Sequence, residues 1–155
     1  MTTSPQLKVT DDRFLTRSQS GAIWGSVYFE VDGTAFPDCG WTDLVAGFLA
    51  AWLEALTRIA RGSSSKERVQ FMDGPFAVDI SAAGNDLLEL AFLHNEVVTR
   101  AAEGNAIDLL ENAIAVSQQL VANFQERGWS GRDVNNLKAA AGRGKKVLRT
   151  PRGSA

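Results

Sequence analysis

Between Ala22 and Val31 apolar and polar side chains alternate, with Ile23, Val27, Phe29 and Val31 on one face and Trp24, Ser26, Tyr28 and Glu30 on the other. A period of two predicts a strand, closed by the turn signal Asp32-Gly33. From Trp41 to Ala60 the period lengthens: Trp41, Leu44, Val45, Phe48, Leu49, Trp52, Leu53, Leu56 and Ile59 recur every three or four residues. That spacing predicts a helix with Thr42 as N-cap, Glu54 and Arg58 paired one turn apart, and Gly62 as its stop. Gly62-Ser63-Ser64-Ser65 follows as a flexible connector.

Alternation then returns. Val69 and Phe71, and after them Phe76, Val78 and Ile80, flank Asp73-Gly74-Pro75, so Arg68 to Ser81 reads as a β-hairpin. A turn at Ala83-Gly84-Asn85-Asp86 leads to a third strand, Leu87 to His94, with Leu88, Leu90 and Phe92 on one face, and a short fourth from Glu96 to Ala102. From Ala106 to Arg127 the stripe Ala106, Leu109, Leu110, Ala113, Ile114, Leu120, Val121 and Phe124 predicts a second helix, capped by Asn105 and stopped by Gly128. A shorter third helix, capped by Ser130, is expected from Gly131 to about Ala141.

These elements define an α+β domain: an antiparallel sheet of about four to six strands with two or three helices, in the order β-α-β-β-β-(β)-α-α. Short turns join the strands, which excludes a doubly wound parallel sheet. The chain has 155 residues, a length that one core accommodates. The domain is expected over 22–141. It is preceded by a polar arm or edge strand over 1–21, anchored by Val9, Phe14 and Leu15, and followed by a basic flexible tail over 142–155.

Composition narrows the function. One cysteine and one histidine cannot make an internal disulfide or a Cys/His zinc site, so no structural metal or cofactor is expected. The start Met1-Thr2-Thr3-Ser4-Pro5 has neither the basic nor the apolar part of an export signal, and the apolar run Leu44 to Leu53 is about half a membrane span. A cytoplasmic location follows as an expectation. The net charge of −2 hides a division: residues 1–126 carry 17 acidic and 8 basic side chains, residues 127–155 carry 1 and 8, so the two parts stand at −9 and +7. An acidic body argues against a nucleic-acid-binding core, and the basic end lacks interleaved aromatic residues.

Candidate chemistry is sparse. His94 is in phase with Leu88, Leu90 and Phe92 and reads as a half-buried structural histidine rather than a general base. Cys39, in Pro37-Asp38-Cys39-Gly40, precedes a helix start where a thiol could be activated, but no nucleophile signature surrounds it. Gly142-Arg143-Gly144-Lys145-Lys146 has neither the spacing nor the strand–loop–helix context of a phosphate loop. Asp79 and Glu89 fall out of phase with the inward strand residues and belong to a solvated strand face. Trp41 and Trp52 belong to the core stripe of the first helix. Trp24 and Tyr28 lie opposite the apolar face of their strand, either as an exposed aromatic patch or beneath a second layer.

Two segments, Trp41-Thr42-Asp43 with Trp52-Leu53 in the first helix, and the hairpin Phe71-Met72-Asp73-Gly74-Pro75-Phe76, resemble small immunity proteins of bacterial polymorphic-toxin and contact-dependent inhibition systems. The resemblance spans roughly residues 22–126 and leaves out the basic end. It implies a cytoplasmic protein that neutralises a toxin domain by direct binding. An acidic body would suit a basic toxin domain, since opposite fields speed association. The contact patch so implied draws on Trp24, Tyr28, Asp73, Asp79 and Glu89. A non-catalytic subunit or adaptor, with homodimerisation open, is the alternative. An enzyme would have to use Cys39 or His94.

Overall fold

The computed structural model describes residues 4–9 and 15–150. Phe14, expected as an anchor of the N-terminal arm, and residues 151–155 of the basic end lie outside the described residues, as do residues 1–3 and 10–13. The α+β class stands: among the described residues, three helices pack with two antiparallel sheets, one of five strands and one of four.

The first sheet is built on β3 (Ile23–Val31). At Phe29 and Glu30 that strand is paired on both sides, by β1 (Gln6–Val9) and by β4 (Thr34–Phe36). At Trp24 it is paired by β2 (Thr16–Arg17) and β5 (Thr42–Leu44). The N-terminal arm therefore contributes two strands, β1 and β2, to this sheet. The second sheet is a meander of β6 (Lys66–Gln70), β7 (Phe76–Ala82), β8 (Leu87–His94) and β9 (Val97–Asn105), in that spatial order. Three connections, Asp32-Gly33, Asn85-Asp86 and Asn95-Glu96, carry positive φ at both residues. That conformation matches the right-handed twist of the strands a two-residue hairpin joins.

Aromatic side chains link the sheets. Phe29 meets Phe48, Trp52, Phe71 and Phe92 edge-on, with ring centroids 4.9–6.3 Å apart, and Phe36 meets Phe71, Phe76 and Phe92. Such pairs add about 0.5–1.5 kcal/mol each beyond the area they bury. Phe48 and Trp52 come from α1 (Val45–Ala60), which also packs against α2 (Ala106–Glu126) and α3 (Arg132–Arg149).

Several expectations are corrected. The first helix begins at Val45, not Trp41, because residues 42–44 pair with β3. Its N-cap position is Leu44, without a side-chain cap bond, so Thr42 does not cap it. Glu54 and Arg58 do not pair with each other. Arg58 bonds Glu67 at 2.6 Å and Arg143 bonds Glu54, since long-range partners lie closer than the neighbouring turn. Gly62 to Ser65 is a bonded turn: Gly62 donates to the Ile59 carbonyl and Ser63 to that of Arg58. Asn105 caps α2 as expected, accepting from the Ile107 and Asp108 amides.

The third helix starts after Gly131, with no cap from Ser130, whose carbonyl instead accepts from Arg17. It continues through the expected tail to Arg149, because Val134, Leu137, Ala140, Ala141 and Gly144 form a buried stripe against α1 and α2. Gly144 is the close point: a Cβ there would stand 3.1 Å from Leu110 Cδ1 and 3.2 Å from Ile114 Cδ1.

Candidate functional site

The segments 41–43 and 71–76 come together around one buried carboxylate. Asp43, with no exposed surface, accepts four N–H bonds. Leu44 N at 2.7 Å and Met72 N at 3.2 Å reach Oδ1, and Trp41 Nε1 and Asp73 N, both at 3.1 Å, reach Oδ2. The Trp41 ring packs edge-on to Phe76 at 5.0 Å, and Phe76 stacks on His94 at 4.5 Å. Gly74, at φ +81°, sits where a Cβ would meet both Phe76 and Trp41 at 3.1–3.3 Å. These positions act as a clamp that seats the 71–76 turn against the start of α1. Their chemistry is structural: every lone-pair direction of Asp43 is aimed at a donor.

The five residues of the expected contact patch divide among three places. Trp24 and Tyr28 are half-buried on the five-stranded sheet, the latter against Cys39. Burial, and then the neighbouring thiol, raise the phenol's pKa above its ordinary value. Asp73 is exposed on the 71–76 turn, held there through its backbone amide. Asp79 and Glu89 do share a surface, the outer face of the β6–β9 meander.

That face is set by strand alternation. Val69, Val78, Ile80, Leu88, Leu90, Phe92 and Ala102 turn into the core. Register then places Arg68, Asp79, Ala91 and Ala101 in one outward row and Lys66, Ser81, Glu89 and Glu103 in the next. The rows form an open groove of about 370 Å³ with an alanine floor and the carboxylates of Asp79, Glu89 and Glu103 around it. Glu103 is the residue that sequence reading missed. The two-residue turn Asn95-Glu96 pairs His94 with Val97 and Leu93 with Val98, a register that, continued unbroken, would set Ala102 opposite Glu89. The shift between Phe92 and Leu93, with Thr99 as the extra residue, brings Glu103 there instead, so the turn alone does not reveal it.

Asp79 is not a free carboxylate. Arg68 donates to both its oxygens at 2.6 and 2.9 Å and spans to Glu96 at 2.7 and 2.9 Å, and these hydrogen bonds push the guanidinium pKa upward. Two acids on one base leave this cluster at −1, and Glu89 opposite Glu103 has no cation paired with it among the described residues. Like charges set side by side across strands cost stability, roughly 0.2–1 kcal/mol, unless a partner neutralises them.

His94 is exposed, contrary to the half-buried position expected. It keeps its place opposite Phe76 in the β7–β8 ladder, in phase with Phe92, but stands at the last position of its strand, where it lies on the Phe76 ring with its other side open. Cys39, also exposed, lies beside Tyr28. Among the described residues no group of three or more His, Cys, Asp or Glu could hold a metal ion, and no helix is long and apolar enough to cross a membrane. No protein-family model, curated protein or solved structure matches this chain.

Proposed function

We propose that the protein is a cytoplasmic binding protein of the immunity type, which neutralises a basic toxin domain by docking the outer face of the β6–β9 meander onto it. The observation that carries this reading is the groove on that face, where Asp79, Glu89 and Glu103 surround small side chains. A flat floor of alanines admits close approach. Glu89 and Glu103, which pair with no cation among the described residues, attract a cationic surface and speed its capture, while Asp79 acts through the net negative charge of its cluster with Arg68 and Glu96. The clamp around Asp43 bears on the reading only through the resemblance: it gives the residues on which that resemblance rests, Trp41, Asp43, Asp73 and Gly74, a structural role. Trp24 and Tyr28, on the other sheet, and Asp73, on the 71–76 turn, are not part of the proposed patch.

The test is retention of partners from the native lysate by the tagged protein at low and high salt, followed by association kinetics of Glu89→Lys and Glu103→Lys with what is retained. The expected partner is one basic toxin domain, with association slowed about tenfold or more per reversal and folding unchanged. Unchanged association in both variants would remove the patch from the reading. A second reading, a subunit of a larger assembly, is favoured by Val97 and Val98, which are 63% and 54% exposed at the start of edge strand β9. It predicts self-association that V97K/V98K abolishes, read by sedimentation.

A further inference from the structure

The basic end of the chain is a helix, and it builds a second surface of opposite sign. The chain reverses over residues 127–131, so α3 returns along α2, and Gly144 of α3 meets Leu110 and Ile114 of α2. Along the outer seam of the two helices lies a groove of about 270 Å³ floored by Val121 and Ala141. Its α2 wall is Gln118, Ala122 and Gln125, and its α3 wall is Lys138, Gly142 and Lys145. Both walls have the same form: a long polar side chain, then a small residue four positions on, then a second long polar side chain three further.

Between Glu111 and Glu126 the α2 sequence has no charged residue, and between Asp133 and the end of α3 there is no acid. Lys138 and Lys145 have no ion-pair or hydrogen-bond partner among the described residues, whereas Arg143 is held by Glu54 on the inner side. This seam is therefore a positive strip on an otherwise acidic body.

We propose that the α2–α3 seam is a docking groove for an acidic amphipathic helix of a protein partner. A helix laid into the seam reaches closest at Ala122 and Gly142, where the walls are lowest. Its apolar stripe covers Val121 and Ala141, as in other helix-in-groove complexes. Lys138 and Lys145 are seven residues, hence about 10 Å, apart along α3, so carboxylates two turns apart on the docked helix meet both ammonium groups. The glutamines supply neutral donors and acceptors on the opposite wall. Charge selects the occupant, because a basic helix would be repelled at both lysines. Nucleic acid is disfavoured by the −9 carried by residues 1–126. This site is separate from the acidic sheet face and does not depend on that reading.

The probe is a synthetic amphipathic peptide about 20 residues long, with one leucine stripe bordered by glutamates at seven-residue intervals. Binding to the full chain is read by fluorescence anisotropy. The expected result is saturable binding that weakens at high salt and falls about tenfold or more in both K138E/K145E and Gly142→Leu. The first variant reverses the rim charge and the second fills the groove without changing charge; circular dichroism checks that both fold. E89K/E103K is expected to bind the peptide at least as well as the wild type, which separates this site from the sheet face. No saturable binding by the wild type, or equal binding by both groove variants, overturns the proposal. So does tighter binding of a single-stranded oligonucleotide through the same lysines, or self-association that K138E/K145E abolishes, since these assign the seam to phosphates or to a second copy.

Discussion

Replacing Asp43 by Asn tests whether the Trp41-x-Asp43 and Asp73-Gly74 segments work as a clamp. The carboxylate has two oxygens and four donors, two on each oxygen. An asparagine keeps one acceptor oxygen. Whichever way its amide turns, two N–H groups then face its NH2, either those of Leu44 and Met72 or those of Trp41 and Asp73. Hydrogen bonds to a charged group are worth about 1.5–3 kcal/mol each, and losing two costs roughly 3–6 kcal/mol. The neutral side chain is spared part of the desolvation of a buried carboxylate, which leaves a net loss of about 3 kcal/mol. For a chain of this length that lowers Tm by about 6–12 °C. Urea unfolding followed by tryptophan fluorescence measures the loss, and amide exchange at Met72 and Asp73 should quicken locally. Asp73→Asn, on the exposed side chain of the same turn, is the control and should stay within about 0.5 kcal/mol of the wild type. A D43N variant within 1 kcal/mol of the wild type would refute the clamp.

Three further outcomes follow from the packing and the ion pairs. Glu67 accepts from Arg58, and that hydrogen bond holds its pKa below the ordinary 4.5 against the opposing effect of burial. Its contribution is therefore present above pH 4.5 and lost as pH falls through the lowered folded value. Glu67→Gln should cost about 0.5 kcal/mol near neutrality, a figure reduced because Arg58 is 43% exposed, with the gap to wild type closing in acid denaturation curves below pH 4. Gly144→Leu forces a side chain against Leu110 and Ile114 and should destabilise by about 1–3 kcal/mol, seen as a lower urea midpoint with helix content retained at low urea. Tyr28 is the single tyrosine, so its absorbance titration is read without overlap. The midpoint should lie above 10 and fall towards 10 in Cys39→Ser, and the stability tied to the neutral phenol is lost as pH rises through the raised value.

The chain's local periods specified its local elements. Alternation marked β3, the 68–81 hairpin and Leu87–His94, and three- and four-residue spacing marked α1 and α2, because a side chain's face depends only on backbone twist and position. The α+β class followed from their order. Charge division was legible as well, down to Asp79 and Glu89 as outward residues. Partnership over long sequence distances was decided by the tertiary structure. Arg58 chose Glu67 over Glu54, Asp43 was drawn to the 72–73 amides, Thr42 entered a strand instead of capping the helix, and strands divided between two sheets, since each group settles with the partner that packing brings closest. The basic end read as disordered because Gly and Lys have little burial of their own to offer. Set against α1 and α2, the narrow stripe through Val134, Leu137, Ala141 and Gly144 finds a surface to fill, and that burial, absent from any local window, makes residues 142–149 helical.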